Sequence, residues 1–556
     1  MRSMPVHKYR PYPGAVGLTC RTWPSRTIES APLWCSVDLR DGNQALIDPM
    51  DIAEKLDLYR LLLEIGFKEI EVGFPSASRT EFDFLRLLVE EGRIPDGVTV
   101  QVLTQAREHL IKKTFEAIRG VKRAIVHLYN STDPLQRRVV FGMGSEEILR
   151  LAVEGARMIR EETDRAEATE ITYEYSPESF TGTELDFALE VCEAVADIWQ
   201  PTREHKMIVN LPATVEMSTP NVYADRIEWF STHMRLRDAV VLSIHPHNDR
   251  GTAVAAAELA FMAGAERIEG TLFGNGERTG NVDIVTLALN LVSQGIDPGL
   301  DLHEIDRVIE VCERCTKIPV HVRHPYAGSL VYTAFSGSHQ DAISKGMKRY
   351  EQGKHRYWEV PYLPIDPSDV GRSYESIIRI NSQSGKGGVA YVMEKEFGMV
   401  LPKQMHQEFA SIIQRVSDSV SKEILPEVIW EAFEKEYLTD RGPLILKGCT
   451  VRGSDAEPPA TEIDALIIQE GRERKIGGRG NGPIDAFSNG VRSLGFDFSV
   501  VRYAEHALSV GSDARAAAYV QVEDGEARTW WGAGVDQSIH VASFKALVSA
   551  LNRAVR

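Results

Sequence analysis

The sequence predicts an α/β protein: a (β/α)8 barrel, then a helical linker region, then a C-terminal α+β domain. Three observations lead there. Between Trp34 and about residue 295, eight short β-rich runs alternate with amphipathic runs, the pattern of a barrel of ~250 residues. Polar residues with chemical capacity gather where those runs end, and the runs themselves read as apolar. From about Asp440 strands follow one another more closely, with helices of their own.

The predicted strands are Trp34–Leu39, Glu69–Phe74, Val98–Leu103, Ala124–Tyr129, Ile171–Tyr175, Met207–Leu211, Ala239–Ile244 and Arg267–Phe273. Helical patterns between them include Asp51–Ile65, Phe82–Glu90, Ser145–Glu162, Leu185–Ile198, Asn221–His233 and Thr252–Ala263. A doubly wound open sheet is the alternative. It wants a Gly-rich fingerprint after the first strand, and Leu39-Arg40-Asp41-Gly42-Asn43-Gln44 is not one.

After the barrel, residues 301 to about 436 read as helices and loops. Two polar-rich stretches there, Tyr332–Asp341 and Val360–Pro367, read as lying outside any core, the second a proline-stiffened turn. Asn381–Gly388 resembles a phosphate loop superficially but reads as a flexible turn before a helix, because no strand precedes it. In the C-terminal part, Thr461–Gln469, Phe496–His506, Ala516–Val522 and Arg528–Gly532 read as strands, and Pro483–Leu494 and Ser543–Val555 as helices. Gly477–Pro483 and Ser509–Ala514 read as Gly-rich loops suited to a small ligand, a chain–chain interface or ordinary turns. The expected division is an N-terminal arm (1–30), the barrel (31–310), a linker region (311–440) and a C-terminal domain (441–556).

At 43% hydrophobic and 26% charged residues, the chain has the composition of an ordinary globular protein. Its net charge of −17 argues against binding nucleic acid or an anionic membrane. No apolar run is long enough to span a bilayer, and no signal-peptide core opens the chain. Six cysteines are too few for a disulfide scaffold, which makes a reducing cytoplasm the expected location. Cys312-Glu-Arg-Cys315 has zinc-like spacing but no second pair, so it reads as two positions on one helix face.

The chemistry centres on Ser243-Ile244-His245-Pro246-His247-Asn248-Asp249-Arg250. Residues i and i+2 of a strand share a face, so His245 and His247 aim into one place at the end of strand 7. Barrel closure makes strand 8 a neighbour of strands 1 and 7. That gathers Asp41, His245, His247 and Asn281 into a candidate metal site. Its mixed N/O donor set suits Mg2+, Mn2+, Fe2+, Co2+ or Zn2+, and the lack of thiolates argues against a closed structural zinc site. Arg40, beside Asp41, is a permanently charged donor able to steady a developing oxyanion.

Asp38-Leu39-Arg40-Asp41-Gly42-Asn43-Gln44, His245-Pro246-His247-Asn248-Asp249 and Gly274-Asn275-Gly276-Glu277-Arg278-Thr279-Gly280-Asn281 together resemble the Claisen-condensing barrel metalloenzymes. That family includes isopropylmalate, homocitrate and citramalate synthases and hydroxymethylglutaryl-CoA lyases. Tyr175–Ser179, Leu211–Glu216, Phe335–Asp341 and Pro361–Pro367 place the resemblance nearest the longer bacterial and fungal isopropylmalate synthases, and it runs from about residue 30 to the C-terminus.

The resemblance implies a feedback-controlled condensation of acetyl-CoA with 3-methyl-2-oxobutanoate and water, giving 2-isopropylmalate and CoA at the first committed step of leucine biosynthesis. A homocitrate- or citramalate-type synthase is the alternative. Asp41, His245 and His247, with Asn281 nearby, would hold the metal, with Mg2+ expected, Mn2+, Co2+ or Zn2+ as alternatives, and activation by K+ allowed. Arg40 would stabilise the alkoxide, Thr214 would hold the substrate carboxylate, and Glu178 would line the pocket. His127 would line the side-chain pocket, with a packed barrel histidine as the competing reading. Asn275, Gly276 and Glu277 would meet acetyl-CoA. His339 with Tyr362, supplied by the second subunit of a homodimer, would remove the acetyl proton, with Glu178 or a metal-bound water as competitors. The C-terminal domain would bind leucine as allosteric inhibitor.

Two rival readings are weaker. A lyase needs no C-terminal sensor, and the catalytic thiol loop of lyases has no counterpart. A non-catalytic amino-acid sensor would be expected to have lost Arg40, Asp41, His245 or His247, and all are present.

Overall fold

A computed structural model describes residues 8, 12, 16–18, 20–166, 168–334, 336–353, 357–373, 386–420, 426–438, 442–454, 460–508 and 514–555. The chain forms two compact units, Met1–Val331 with Ile365–Ser373, and Tyr332–Pro364 with Tyr374–Arg556. Most of Asn381–Gly388 and of Ser509–Ala514 lies outside the described residues; at the first, a helix begins at Lys386.

The first unit is a closed barrel of eight parallel strands. They are β1 (Leu33–Ser36), β2 (Glu69–Gly73), β3 (Thr99–Gln105), β4 (Arg123–Ser131), β5 (Glu170–Glu178), β6 (Met207–Ala213), β7 (Val240–Pro246) and β8 (Arg267–Gly270). Closure is made where β8 pairs with β1, from Leu33 opposite Arg267 to Ser36 opposite Gly270. Outward-facing Val, Ile and Leu of the strands bury against the surrounding helices, so Val100, Val102, Val126, Leu128, Val209 and Leu211 are at most 1% exposed.

The strand interiors are not apolar, contrary to the sequence-based expectation. Glu71, Gln101, Glu174, Ser243, Arg267 and Glu269 are all fully buried there. They alternate with apolar neighbours at the strand period of two, so each points inward while its neighbours face the helices.

Helix starts follow local chemistry. Asp51 and Glu54 form a reciprocal capping box on Ile52–Ile65, and Ser78 and Asp283 cap Arg79–Glu90 and Ile284–Ser293. The described part of the N-terminal arm is anchored on the helix Pro220–His233. Arg21 makes a two-pronged ion pair with Asp225, and buried Trp23 donates its indole N–H to the same carboxylate at 2.9 Å. Cys312 and Cys315 are free thiols buried on the helix Ile305–Thr316. Among the described residues no helix is long and apolar enough to cross a membrane.

In the second unit, the polar-rich stretches contribute more than the sequence suggested. Gly337–Glu351 is a helix, and Gln340, Val360 and Leu363 are buried. Two three-stranded antiparallel sheets follow, β9 (Leu444–Ser454), β10 (Ala460–Gln469) and β11 (Arg472–Gly480) in the order β11-β10-β9, then β12 (Phe498–Ala507), β13 (Ala516–Asp524) and β14 (Thr529–Asp536) in sequence order. Each is followed by a helix, Pro483–Arg492 and Ile539–Ala554. The strands β9 and β11 were not anticipated, and Gly477–Gly480, read as a loop, belongs to β11. At Gly534 any side chain would strike the backbone of the helix Ile539–Ala554, so glycine there is a packing requirement.

Candidate functional site

The site forms at the C-terminal ends of the strands. β1 stops at Ser36, shorter than predicted, and Asp38–Gly42 makes one π-helical turn. Asp38 fixes that turn by accepting from Ser36 Oγ at 2.8 Å and from the backbone N–H of Leu272 at 3.0 Å. The turn presents Arg40 and Asp41 to the barrel axis. His245 is in β7, and His247 follows in a short bridge with Asn281. Backbone bonds from Asn248 N to Gly280 O (2.9 Å) and Val282 N to Pro246 O (2.8 Å) lock the β8 loop to the end of β7. Gly280 has φ +99°, and a Cβ there would run into the Gly274 carbonyl, so the loop closes this tightly only with glycine.

Four donors converge. His245 Nε2 lies 3.0 Å from Asp41 Oδ2 and 2.9 Å from Asn281 Oδ1. His247 Nε2 is 3.5 Å from the same Asp41 oxygen, and the two rings stack at 5.3 Å. Asn281 is oriented by donating its Nδ2 to Asn275 O at 3.2 Å, so its oxygen faces the histidine. On the other edge of the His245 ring, Nδ1 lies 2.8 Å from Glu269 Oε2. A carboxylate only accepts, so Nδ1 carries a proton, and Nε2 faces two oxygens that can meet it only across a proton or a metal ion. That arrangement calls for a cation between them. The residues therefore fit a divalent metal with one carboxylate, two imidazole and one carbonyl donor.

The electrostatics agree. Burial would lower the pKa of His245, but its bonds to Asp41 and Glu269 lift it to about 10, a proton standing where a metal would. Burial pushes His247 down, against its bond to Asp41. Burial would raise the Asp41 carboxyl, yet Arg40 and the two histidines hold it well below the usual range. Arg40 is fixed by its own bond to Glu71, Nε to Oε2 at 2.6 Å, and by Asp41 at 3.2 Å.

Beside the cluster opens a cavity of about 420 Å3, lined by Arg40, Asp41, His127, Glu178, Thr214, His245, His247 and Glu277 among others. Ser131 Oγ donates to Glu178. Thr214 Oγ1 accepts the Ser179 N–H at 2.9 Å, leaving its own O–H free to donate. His127 Nε2 contacts Ser176 Oγ at 2.7 Å. Glu277 reaches the wall, held by Gln44 at 3.3 Å. Asn275 and Gly276 do not: the Asn275 amide is spent on the Gly42 carbonyl at 3.0 Å. His339 and Tyr362 belong to the second unit, where their rings stack on each other.

Sequence reasoning missed the support beneath the site, namely Glu71 under Arg40, Glu269 behind His245, and the Gln101–Arg267 pair joining them. The available signal was a charged or amide residue at every second position in Glu69–Glu71 and Arg267–Glu269, inside runs otherwise rich in β-formers.

Residues 31–312 match the HMGL-like family model, 329–394 the model of the alpha-isopropylmalate synthase post-catalytic domain, and 423–555 that of the LeuA allosteric (dimerisation) domain. The chain is 55% identical over 556 residues to 2-isopropylmalate synthase of Clostridium acetobutylicum, covering 99% of each chain. It is 57% identical over 558 residues to the enzyme of that name from Parafrankia sp. (100% of this chain, 98% of that one) and 55% over 550 residues to that of Rhodospirillum rubrum (99% and 98%).

Proposed function

The chain belongs to the 2-isopropylmalate synthase family, and on that basis we propose that it condenses acetyl-CoA with 3-methyl-2-oxobutanoate. Water then cleaves the thioester, giving 2-isopropylmalate and CoA, the entry step of leucine biosynthesis. The observation that carries the reading is the Asp41–His245–His247–Asn281 cluster opening on a cavity beside a fixed Arg40.

A divalent ion on those four residues supplies Lewis acidity to the keto and carboxylate oxygens of the 2-oxo acid when bound. Arg40, locked by Glu71 and Asp41, places its charge where the keto oxygen becomes an alkoxide. Thr214 donates its free hydroxyl to the substrate carboxylate, and Glu178 closes that side of the pocket. His127, next to Leu103 and Tyr129 on the cavity wall, packs against the branched side chain. Glu277 and its loop neighbours Asn275 and Gly276 flank the acetyl-CoA entry. His339, stacked on Tyr362, takes the proton from the acetyl methyl group, and both come from the second subunit of a homodimer. The match of residues 423–555 supports leucine binding there as feedback control. The physiological setting is the cytoplasm.

The test is CoA release by purified protein given acetyl-CoA, 3-methyl-2-oxobutanoate and Mg2+, with the acid product identified. Matched CoA and 2-isopropylmalate are expected. Preference for pyruvate or 2-oxoglutarate would move the assignment to a citramalate- or homocitrate-type synthase, and no release with any of the three would remove it.

A further inference from the structure

Ser179 follows Glu178 at the end of β5 and opens the turn Ser179–Thr183. It holds φ +61°, a left-handed conformation that a residue other than glycine seldom takes. The turn is buried, with Ser179, Phe180, Thr181 and Thr183 at most 6% exposed. Buried backbone needs hydrogen-bond partners, and here three separate segments supply them. Thr132 donates its N–H to Glu178 O at 3.1 Å, and its hydroxyl lies 2.8 Å from Thr183 Oγ1. Tyr12 of the N-terminal arm donates to Thr181 O at 2.5 Å. Arg226, on the helix Pro220–His233, donates from a single nitrogen, Nη2, to Phe180 O at 2.7 Å and to Thr183 O at 2.6 Å.

Arg226 is 8% exposed, and its Nε is buried without a hydrogen-bond partner. Its guanidinium carbon lies 4.8 Å from the centre of the Phe180 ring. Burial lowers its pKa, and the groups opposing that are the phenols of Tyr12 and Tyr223 and no carboxylate. Burying a guanidinium without a counter-ion is costly, and the two carbonyls that it grips offset that cost.

The turn leads directly to the substrate pocket. The Ser179 N–H donates to Thr214 Oγ1 at 2.9 Å. Ser179 O accepts the Gly182 N–H at 2.9 Å and the Thr183 hydroxyl at 3.0 Å, and Gln136 donates to Ser179 Oγ at 2.9 Å. Arg278 holds the Thr214 carbonyl. With its backbone held and one lone pair of its hydroxyl taken by Ser179, Thr214 directs its O–H away from the turn, and Thr214 lines the cavity.

We propose that Arg226, which does not itself line the cavity, is a positioning residue for the 2-oxo acid. By gripping Phe180 and Thr183 it keeps Ser179 in its left-handed conformation, and Ser179 aims the Thr214 hydroxyl at the substrate carboxylate. This rests on the substrate reading above.

The experiment is a double-mutant cycle in the full-length, Mg2+-loaded protein. It combines Arg226→Met with Thr214→Val and reads the Kd for 3-methyl-2-oxobutanoate by calorimetry. Each single substitution should weaken binding ~10-fold. The double variant should bind no more weakly than Thr214→Val alone, because Arg226 acts through a hydroxyl that is already gone. Hydrogen exchange is the second readout, and the Ser179–Thr183 amides should exchange faster in Arg226→Met than in the wild type. No binding by the wild type, an unchanged Kd in Arg226→Met, additive weakening in the double variant, or unchanged exchange would each overturn the proposal. If Arg226→Met does not fold, Arg226→Lys takes its place in the same cycle and should show a smaller effect of the same sign. CoA release by the wild type is measured alongside. Its failure removes the assigned reaction, whereas the binding cycle and the exchange rates decide this inference.

Discussion

The imidazole of His339 lies over the phenol ring of Tyr362, with centroids 4.0 Å apart and planes inclined by 30°. Tyr362 holds φ +67°, a left-handed conformation that a bulky residue rarely takes, and its side chain is exposed. Strain of that kind collects at functional positions. His339→Ala is expected to lower kcat by ~10²–10⁴-fold with little change in KM for the 2-oxo acid. Tyr362→Phe keeps the stack and isolates the hydroxyl. Steady-state kinetics check both, and an unchanged kcat in His339→Ala would return proton abstraction to Glu178 or to water.

Arg40 is held on two sides, by Glu71 and Asp41. Lys cannot reproduce the fork. Arg40→Lys is therefore expected to cost ~10²–10³-fold in kcat, the range for removing one oxyanion donor. Glu71→Gln should cost less, because the guanidinium stays but is less firmly aimed. Equal activity of Arg40→Lys and wild type would take Arg40 out of the mechanism.

Lys55 is fully buried and paired with Glu81, which also accepts the Phe74 N–H at 3.1 Å. Burial lowers the Lys55 pKa against the pull of Glu81. Removing one partner strands the other, so Glu81→Ala should lose about 3–5 kcal/mol of stability. The double variant Lys55→Met/Glu81→Leu should recover most of it. Denaturant midpoints measure this, and a double variant no better than the single would show that the pair itself stabilises.

His324 sets Nε2 3.0 Å from Asp283 Oδ2, with Nδ1 2.9 Å from the Pro325 carbonyl. Burial would lower its pKa, but Asp283 brings it above the ordinary 6.5. The protonated ring is thus favoured by the fold. Its contribution is fully present below 6.5 and is lost as pH rises through the raised value. Unfolding midpoints of the wild type should fall over that range, and those of His324→Gln should fall less. Parallel profiles would contradict the assignment.

The barrel was legible because each strand keeps its outward face apolar while helices cover it, giving the alternation from Trp34 to about residue 295. The histidine pair was legible because its spacing matches the strand period, although His247 in fact lies beyond β7 and is aligned by its bridge to Asn281. What stayed hidden had compensated chemistry. Glu71 is tolerable inside through Arg40, and Glu174 and Glu269 through Arg267, relations that no single run displays. The strand β11, Arg-Glu-Arg-Lys-Ile-Gly-Gly-Arg-Gly, buries only Ile476 and lacks the apolar rhythm by which strands are read.

The most direct test titrates divalent metal into chelator-treated protein while CoA release from acetyl-CoA and 3-methyl-2-oxobutanoate is followed, for the wild type and for Asp41→Asn. The wild type should regain activity at one ion per chain, and Asp41→Asn should remain inactive while folded. Full activity of the chelated wild type, or equal metal response in Asp41→Asn, would contradict a metal-dependent condensation at this site.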